Sequence, residues 1–585
     1  MGSATAGAIA WIAILLWPAM QQAETVQSIE PSTGALVRAL LLLGPLVVIP
    51  LGLAAAGSRD PRAPDDRRGR PPWSYRAIAF AQPFAAAMVV ASMTMPPGAR
   101  AAMWAAPWLG LTALVALYGL VRALPRGVPR LEESAIDIGL LYLPIGGAWL
   151  FAARWGFRPY QFSDGIVLLT AVHFHFAGFA APILVGLTGR VARDASPRAY
   201  RIAAIAAMTT PPLVAAGILL NPTVEAISAS LLAAGLLTLS FVVAFRAVPR
   251  VQSRVARALL LVSAGSLVIT MAFAFAFALG ERLGVVIVDI RLMAHVHGVA
   301  NALGFASCGL VGWTIVRPAA RGATRGIPLS RLAAYGRVGG DWLARKGVIA
   351  RDRSAHGLVD DFATFARDDF DPDSIHPEVR RFYEHTLEYR LVVTARWRRG
   401  LHLLARIYRF VFDRVEQLCL PLEGSSDSSD DAGMTSEIVP VDEARDGRPS
   451  VRAWIRAYEA TGKTMFVACY GQHTSRGVTY MNIALPIPLG NVSGVLRLDP
   501  AKVDDAAGGA LTITSIARAE GEGDEGIYFA NALLPIRLPL DETFTVWATP
   551  GDRPSLRARH AMRLFGVWCV WLDYRIERIE SSNAQ

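Results

Sequence analysis

Ten apolar stretches, each about as long as a bilayer is thick, fill residues 1–317, and that succession leaves few folds open. Backbone N–H and C=O groups in hydrocarbon find no water and must bond within the protein, which restricts spanning segments to helices and closed barrels. Windows of roughly 17–25 apolar residues read as helices. They lie near 4–20, 34–56, 77–97, 101–122, 134–153, 164–188, 202–221, 224–245, 257–279 and 291–316. Arginine alternates along them. The connections 57–76, 122–130, 190–201, 246–257 and 317–325 are basic, whereas those between are poor in base. Basic loops stay on the inner side, so the pattern predicts a bacterial inner-membrane protein with both termini cytoplasmic. The first stretch is short and admits cleavage as a signal peptide, although no Lys or Arg precedes it.

The chain is 53% hydrophobic and 18% charged, but these values average two unlike parts. Composition changes near Pro318. The reading is a transmembrane domain at 1–317, a connecting region at 318–376 and a β-rich cytoplasmic domain at 377–585. The formal charge of +10 belongs to loops beside membrane helices, so the expected partner is the lipid bilayer and not nucleic acid. Four scattered cysteines form no CxxC pair, which gives neither a zinc motif nor a disulfide framework.

His-x-His occurs twice inside these apolar stretches, as His173-Phe174-His175 and His295-Val296-His297. Polar side chains are rare in bilayers and tend to face a cavity or a partner. The motif belongs to a longer self-similarity. Val121-Arg-Ala-Leu-Pro-Arg126 resembles Phe245-Arg-Ala-Val-Pro-Arg250, and Tyr75-Arg76 resembles Tyr200-Arg201, at nearly one offset. Helices 3–6 and 7–10 then read as two tandem four-helix repeats related by an axis along the membrane normal, with a site at their interface. Residues i and i+2 of a helix diverge, so one histidine of each pair faces that interface while the other meets a different helix. His297 and Asn301 share a face.

Three readings stay open for the histidines. They can form a substrate or proton path for an unknown small molecule or ion, with His173, His175, His295, His297, Asn301, Asp164 and Asp289 as its residues and Glu225 as a further partner. They can bind haem or a divalent metal, with His175 and His297 as ligands, as in a membrane redox protein. They can also be interhelical hydrogen bonds that fix packing. Arg38 near a helix end is expected to snorkel or pair with Glu30. Glu132, Glu133 and Asp137 are expected to complement a helix N-terminus.

In the second part, Pro377–Glu388 reads as a helix, Tyr389–Trp397 as a strand and Leu401–Leu418 as an Arg-studded helix. That last helix belongs either to a core or on the inner leaflet. Residues 423–436 read as a loop. From Val451 ten short strands follow, broken by Gly, Pro, Asn and Asp, which predicts an antiparallel sheet or barrel within an α+β domain. Tyr470-Gly-Gln-His473, Gly523-Asp-Glu-Gly526, His560 and Asp573 are polar groups able to share a cleft. No Walker loop, GxGxxG after a strand, HExxH or nucleophile elbow is present, so no enzymatic activity is expected. This domain is a candidate ligand-binding or sensor module.

The helix at 171–182, the segment His295-Val-His-Gly-Val-Ala-Asn-Ala-Leu-Gly-Phe305 and the Arg-rich loops resemble the YndJ-like membrane proteins of bacteria, over roughly helices 2–10. The stretches Phe382-Tyr-Glu-His-Thr386, Tyr480-Met-Asn-Ile-Ala-Leu-Pro486 and Asp573-Tyr574-Arg575 look like a domain found joined to such membrane parts. The resemblance implies a transporter-like protein of unassigned substrate and carries over no site residues.

Overall fold

The computed structural model describes residues 2–16, 31–57, 73–127, 130–320, 327–422, 433–518, 523–531, 535–551 and 555–579. The tail of the first expected helix, most of the loop 57–76, Glu30 and most of 423–436 lie outside them. Two compact units divide the chain. One contains Val128–Ala323 and nearly everything before it; the other contains Thr324–Gln585.

Among the described residues the first unit has nine helices long and apolar enough to cross a membrane, where the sequence suggested ten. The difference is α1 (Gly2–Leu15), whose 14 residues rise only about 21 Å against a hydrocarbon core of about 30 Å. The nine are α2 (Ser32–Ala56), α3 (Trp73–Met93), α4 (Ala99–Arg126), α5 (Leu131–Trp155), α6 (Asp164–Ala195), α7 (Pro197–Leu220), α8 (Pro222–Arg250), α9 (Arg254–Leu283) and α10 (Ile290–Val316). Side chains of Ser163, Asn221, Ser253 and Asp289 accept first-turn N–H groups that the helices leave open.

Helices α2, α6 and α10 pack on one another. A Cβ on Gly52 of α2 would strike Phe179 of α6; one on Gly298 of α10 would touch Leu40 of α2; one on Gly309 of α10 would strike Leu184 of α6. Each of the three also contains π-helical turns, at Gly44–Val48, Phe174–Ala180, Met293–Gly298 and Ala300–Cys308. Such turns recur at functional sites and release carbonyls from the regular ladder. Side chains take up several of these: Gln82 Nε2 donates to Pro45 O at 2.7 Å, and Ser263 Oγ to Phe305 O at 2.8 Å.

The second unit is a closed antiparallel β-barrel. Its strands are β1 (Tyr389–Trp397), β2 (Gly433–Pro440), β3 (Arg452–Tyr458), β4 (Thr464–Ser475), β5 (Val478–Ile487), β6 (Gly490–Ala501), β7 (Ala510–Thr514), β8 (Gly526–Ala530), β9 (Ile536–Arg537), β10 (Leu540–Ala548), β11 (Leu556–Leu564) and β12 (Val567–Arg578). The order β5-β4-β3-β2-β1-β12-β11-β10-β7-β6 returns to β5 through the pairing of β5 with β6, and β8–β9 branch from β6. Closure removes the free strand edges that invite aggregation. Alternation sorts the side chains: Trp454, Tyr458, Val570, Leu572 and Ile576 enter one core with Phe362, Phe365 and Phe382. On the other face, Ala453, Ile455, Val467 and Cys469 are covered by Leu332, Val338, Trp342 and Leu343. Residues 327–376, which composition reads as a connection, thus supply part of both cores. Their helices are α11 (Trp342–Lys346), followed by α12 (Pro377–Glu384), α13 (His402–Val415) and α14 (Glu443–Asp446).

Candidate functional site

In α6 the two histidine rings diverge. His175 is fully buried: its Nε2 accepts from Trp108 Nε1 of α4 at 3.0 Å and its Nδ1 lies 2.7 Å from Ala171 O. These bonds place the proton on Nδ1 and leave neither nitrogen free. The indole stacks beside the imidazole with centroids 5.9 Å apart. Cβ atoms on Gly44 or Gly146 would meet the same ring at 3.4 or 2.8 Å. His173 differs: its side chain is exposed and makes no hydrogen bond among the described residues.

In α10, His297 Nδ1 donates to Thr270 O of α9 at 2.8 Å, and Thr270 Oγ1 donates to Asn301 Oδ1 at 3.2 Å. Thr270 thereby fixes both members of the His297/Asn301 face and leaves Nε2 of His297 as a lone-pair acceptor. The structure packs the π-helical turn of α6 against the Ala300–Cys308 turn of α10, with no hydrogen bond between a histidine of one motif and a histidine of the other among the described residues. It leaves His295 exposed, with Nδ1 2.9 Å from Arg291 O. Asp164 pairs with Arg158 at 2.7 Å on an exposed helix start, and Asp289 caps α10 through Leu292 N at 2.7 Å. Glu225 lies in the first turn of α8. Among the described residues no three His, Cys, Asp or Glu side chains gather as a metal-binding group.

A second constellation escaped the sequence reading. Glu133 accepts from Arg190 Nε at 2.8 Å, Arg190 Nη2 at 2.9 Å and Arg122 Nη2 at 3.0 Å, with all three side chains at most 5% exposed. Glu132 pairs with Arg193 at 2.7 Å, and Asp137 lies 3.4 Å from Arg122. These carboxylates do more than complement a helix N-terminus: they tie α4, α5 and α6 into one buried ion network. The available signal was an acidic pair opening one helix while its neighbours end in Arg. Among the described residues the corresponding Arg246 in α8 pairs with no carboxylate, and it lies over Phe241. Arg38 is buried within α2, at 6% exposure.

The barrel carries its own buried cation. Arg456 is 2% exposed and no carboxylate pairs with it among the described residues. Its guanidinium carbon lies 4.9 Å from the Trp454 ring, 5.2 Å from Tyr574 and 5.4 Å from Phe466, and burial works against its charge. Arg456 Nη2 meets Met434 Sδ, whereas Arg456 Nε, Trp454 Nε1 and Ser436 Oγ have no hydrogen-bond partner among the described residues, and Ser436 is the register neighbour of Arg456. Glu542, within electrostatic range of Tyr470 and Tyr574, bonds His560 at 3.1 Å. The expected polar cleft separates into parts. His473 meets Asp524 at 3.3 Å and stacks on Tyr480, whereas Asp573 pairs with Arg396 and Arg559.

A family model described as YndJ-like protein matches residues 39–305. An "Uncharacterized membrane protein YndJ" from Bacillus subtilis (strain 168) is 34% identical over 498 residues, covering 85% of this chain and 87% of that protein. No solved structure matches the chain. The aligned length exceeds either unit alone, so the likeness runs from the membrane helices into the barrel, and this membrane protein belongs to the YndJ-like family.

Proposed function

We propose that the chain is a transporter-like protein of the bacterial inner membrane, with both termini cytoplasmic and a substrate or proton site between α6 and α10. What supports this reading is that His173 of α6 and His297 of α10 lie on packed helices and each keeps a ring nitrogen without a hydrogen-bond partner among the described residues. His175, His295, Asn301, Asp164 and Asp289 belong to the same two helices as supporting or entrance residues. Helices α3–α6 and α7–α10 act as two repeats whose last members supply one histidine each, both beside π-helical turns.

The test is proton flux into liposomes containing the full chain, read with an entrapped pH dye under an imposed gradient and in the presence of candidate solutes. His173→Ala and His297→Ala are expected to abolish a solute-dependent flux that His295→Ala retains. Equal flux in all variants would overturn the site. An optical spectrum and elemental analysis of the same preparations tests ligation: haem or metal lost in the His297 variant would replace transport with a redox role.

A second reading concerns the barrel, as a ligand-binding module. Arg456 favours it: a guanidinium enclosed by aromatic rings, with unpartnered donors beside it, suits an anionic ligand with an apolar body. Binding of a fluorescent fatty carboxylate to the full chain, lost in Arg456→Met, tests this role.

A further inference from the structure

Helix α13 has two apolar faces, and the barrel uses one. Ala405 is buried, Tyr408 donates to Leu418 O at 2.8 Å and packs on Phe412 and Trp397, and Arg409 pairs with Asp413 while donating to Leu420 O. These contacts fix the helix on the barrel. The opposite face presents Leu403, Leu404, Ile407, Phe410 and Val411 at 48–72% exposure. Exposed Arg398, Arg399, Arg406 and Arg414 surround it, none ion-paired among the described residues, and Arg414 lies 3.7 Å over the Phe410 ring.

The patch continues onto the β11–β12 hairpin. Leu564, Phe565 and Val567 at its tip are exposed, Phe565 by 78%. Arg398 N donates to Cys569 O at 2.9 Å, which holds the start of α13 beside that hairpin. Scattered surface apolar residues need no explanation, but a contiguous patch rimmed by cations does.

We propose that this face docks on an anionic bilayer surface, with the apolar side chains of α13 and the hairpin tip entering the headgroup boundary and the arginines meeting lipid phosphates. The charge is of one sign, which suits a surface of anionic lipid. An amphipathic helix with basic residues flanking a Leu/Ile/Phe face is the form that lies in the interface plane. A bilayer is also within reach, because Val316 ends the last membrane-length helix and the barrel unit begins at Thr324.

The experiment places a nitroxide at Ile407→Cys or Phe410→Cys in the full chain, with Cys308 and Cys569 replaced by Ser and Thr435→Cys on exposed β2 as control. The protein is reconstituted in nanodiscs of phosphatidylcholine with or without phosphatidylglycerol. In anionic discs, collisions with oxygen are expected to rise several-fold over the control while those with a water-soluble nickel chelate fall. Charge reversal at Arg398, Arg406 and Arg414 should restore nickel access. High nickel access in anionic discs, or low access to both reagents as in a protein–protein contact, would overturn the proposal.

Discussion

The indole of Trp108 donates to His175 across 3.0 Å, so a histidine of the motif is spent on joining α4 to α6. His175→Ala orphans that indole and opens a cavity, whereas His173→Ala removes no hydrogen bond. An orphaned buried donor costs about 1–3 kcal/mol. Thermal unfolding in detergent should show a clear loss for His175→Ala and little change for His173→Ala. The reverse order would show that His173 is the packing residue.

Glu133 balances two buried arginines. Removing one partner of a buried pair typically costs about 3–5 kcal/mol, because the remaining charge stays desolvated. Glu133→Gln should therefore reduce folded yield and thermal midpoint more than any histidine change. Added salt should not rescue it, since screening barely reaches buried charges. Full salt rescue would place the network in solvent.

Arg456 leads to the opposite expectation. Replacing a buried charge by an apolar residue of similar volume is often neutral, or stabilising by about 1–4 kcal/mol. Arg456→Met should thus hold or raise the midpoint of the ligand-free protein while weakening carboxylate binding. A large destabilisation without loss of binding would assign Arg456 to structure alone.

Cys469 is fully buried, and burial, reinforced by Asp446 against the opposing Arg448, pushes its thiol up to about 12. The unfolded thiol titrates near 9, so above that pH the unfolded chain binds fewer protons and stability falls until the folded thiol also ionises. At mildly alkaline pH, iodoacetamide should modify Cys569 in the native protein and reach Cys469 only after denaturation, as read by peptide mass mapping. Native labelling of Cys469 would contradict this burial.

The helical unit was legible because hydrocarbon length acts on every segment independently. Strand β1 and the helix start at Pro377 also match expectation, for alternation and proline are local signals. Strand β2 was read partly as loop, since Ser and Asp dominate the approach to Gly433 while its pairing with β1 and β3 is non-local. Of the candidate site only the residue types were legible. The motif marked four histidines, but only a neighbour such as Trp108 or Thr270 decides which nitrogen is occupied. The buried Glu133 network depends on three helices meeting, which no window of sequence contains.

Barrel closure also constrains how this protein is made. β12, at residues 567–578, lies between β1 and β11 and is paired along its length with both. A ribosome that has released β1 through β11 has therefore delivered a sheet with a gap, its two unsatisfied edges waiting for β12. Until that strand inserts, the nascent domain is a template for foreign strands, and its survival depends on how soon β12 follows β11 out of the ribosome.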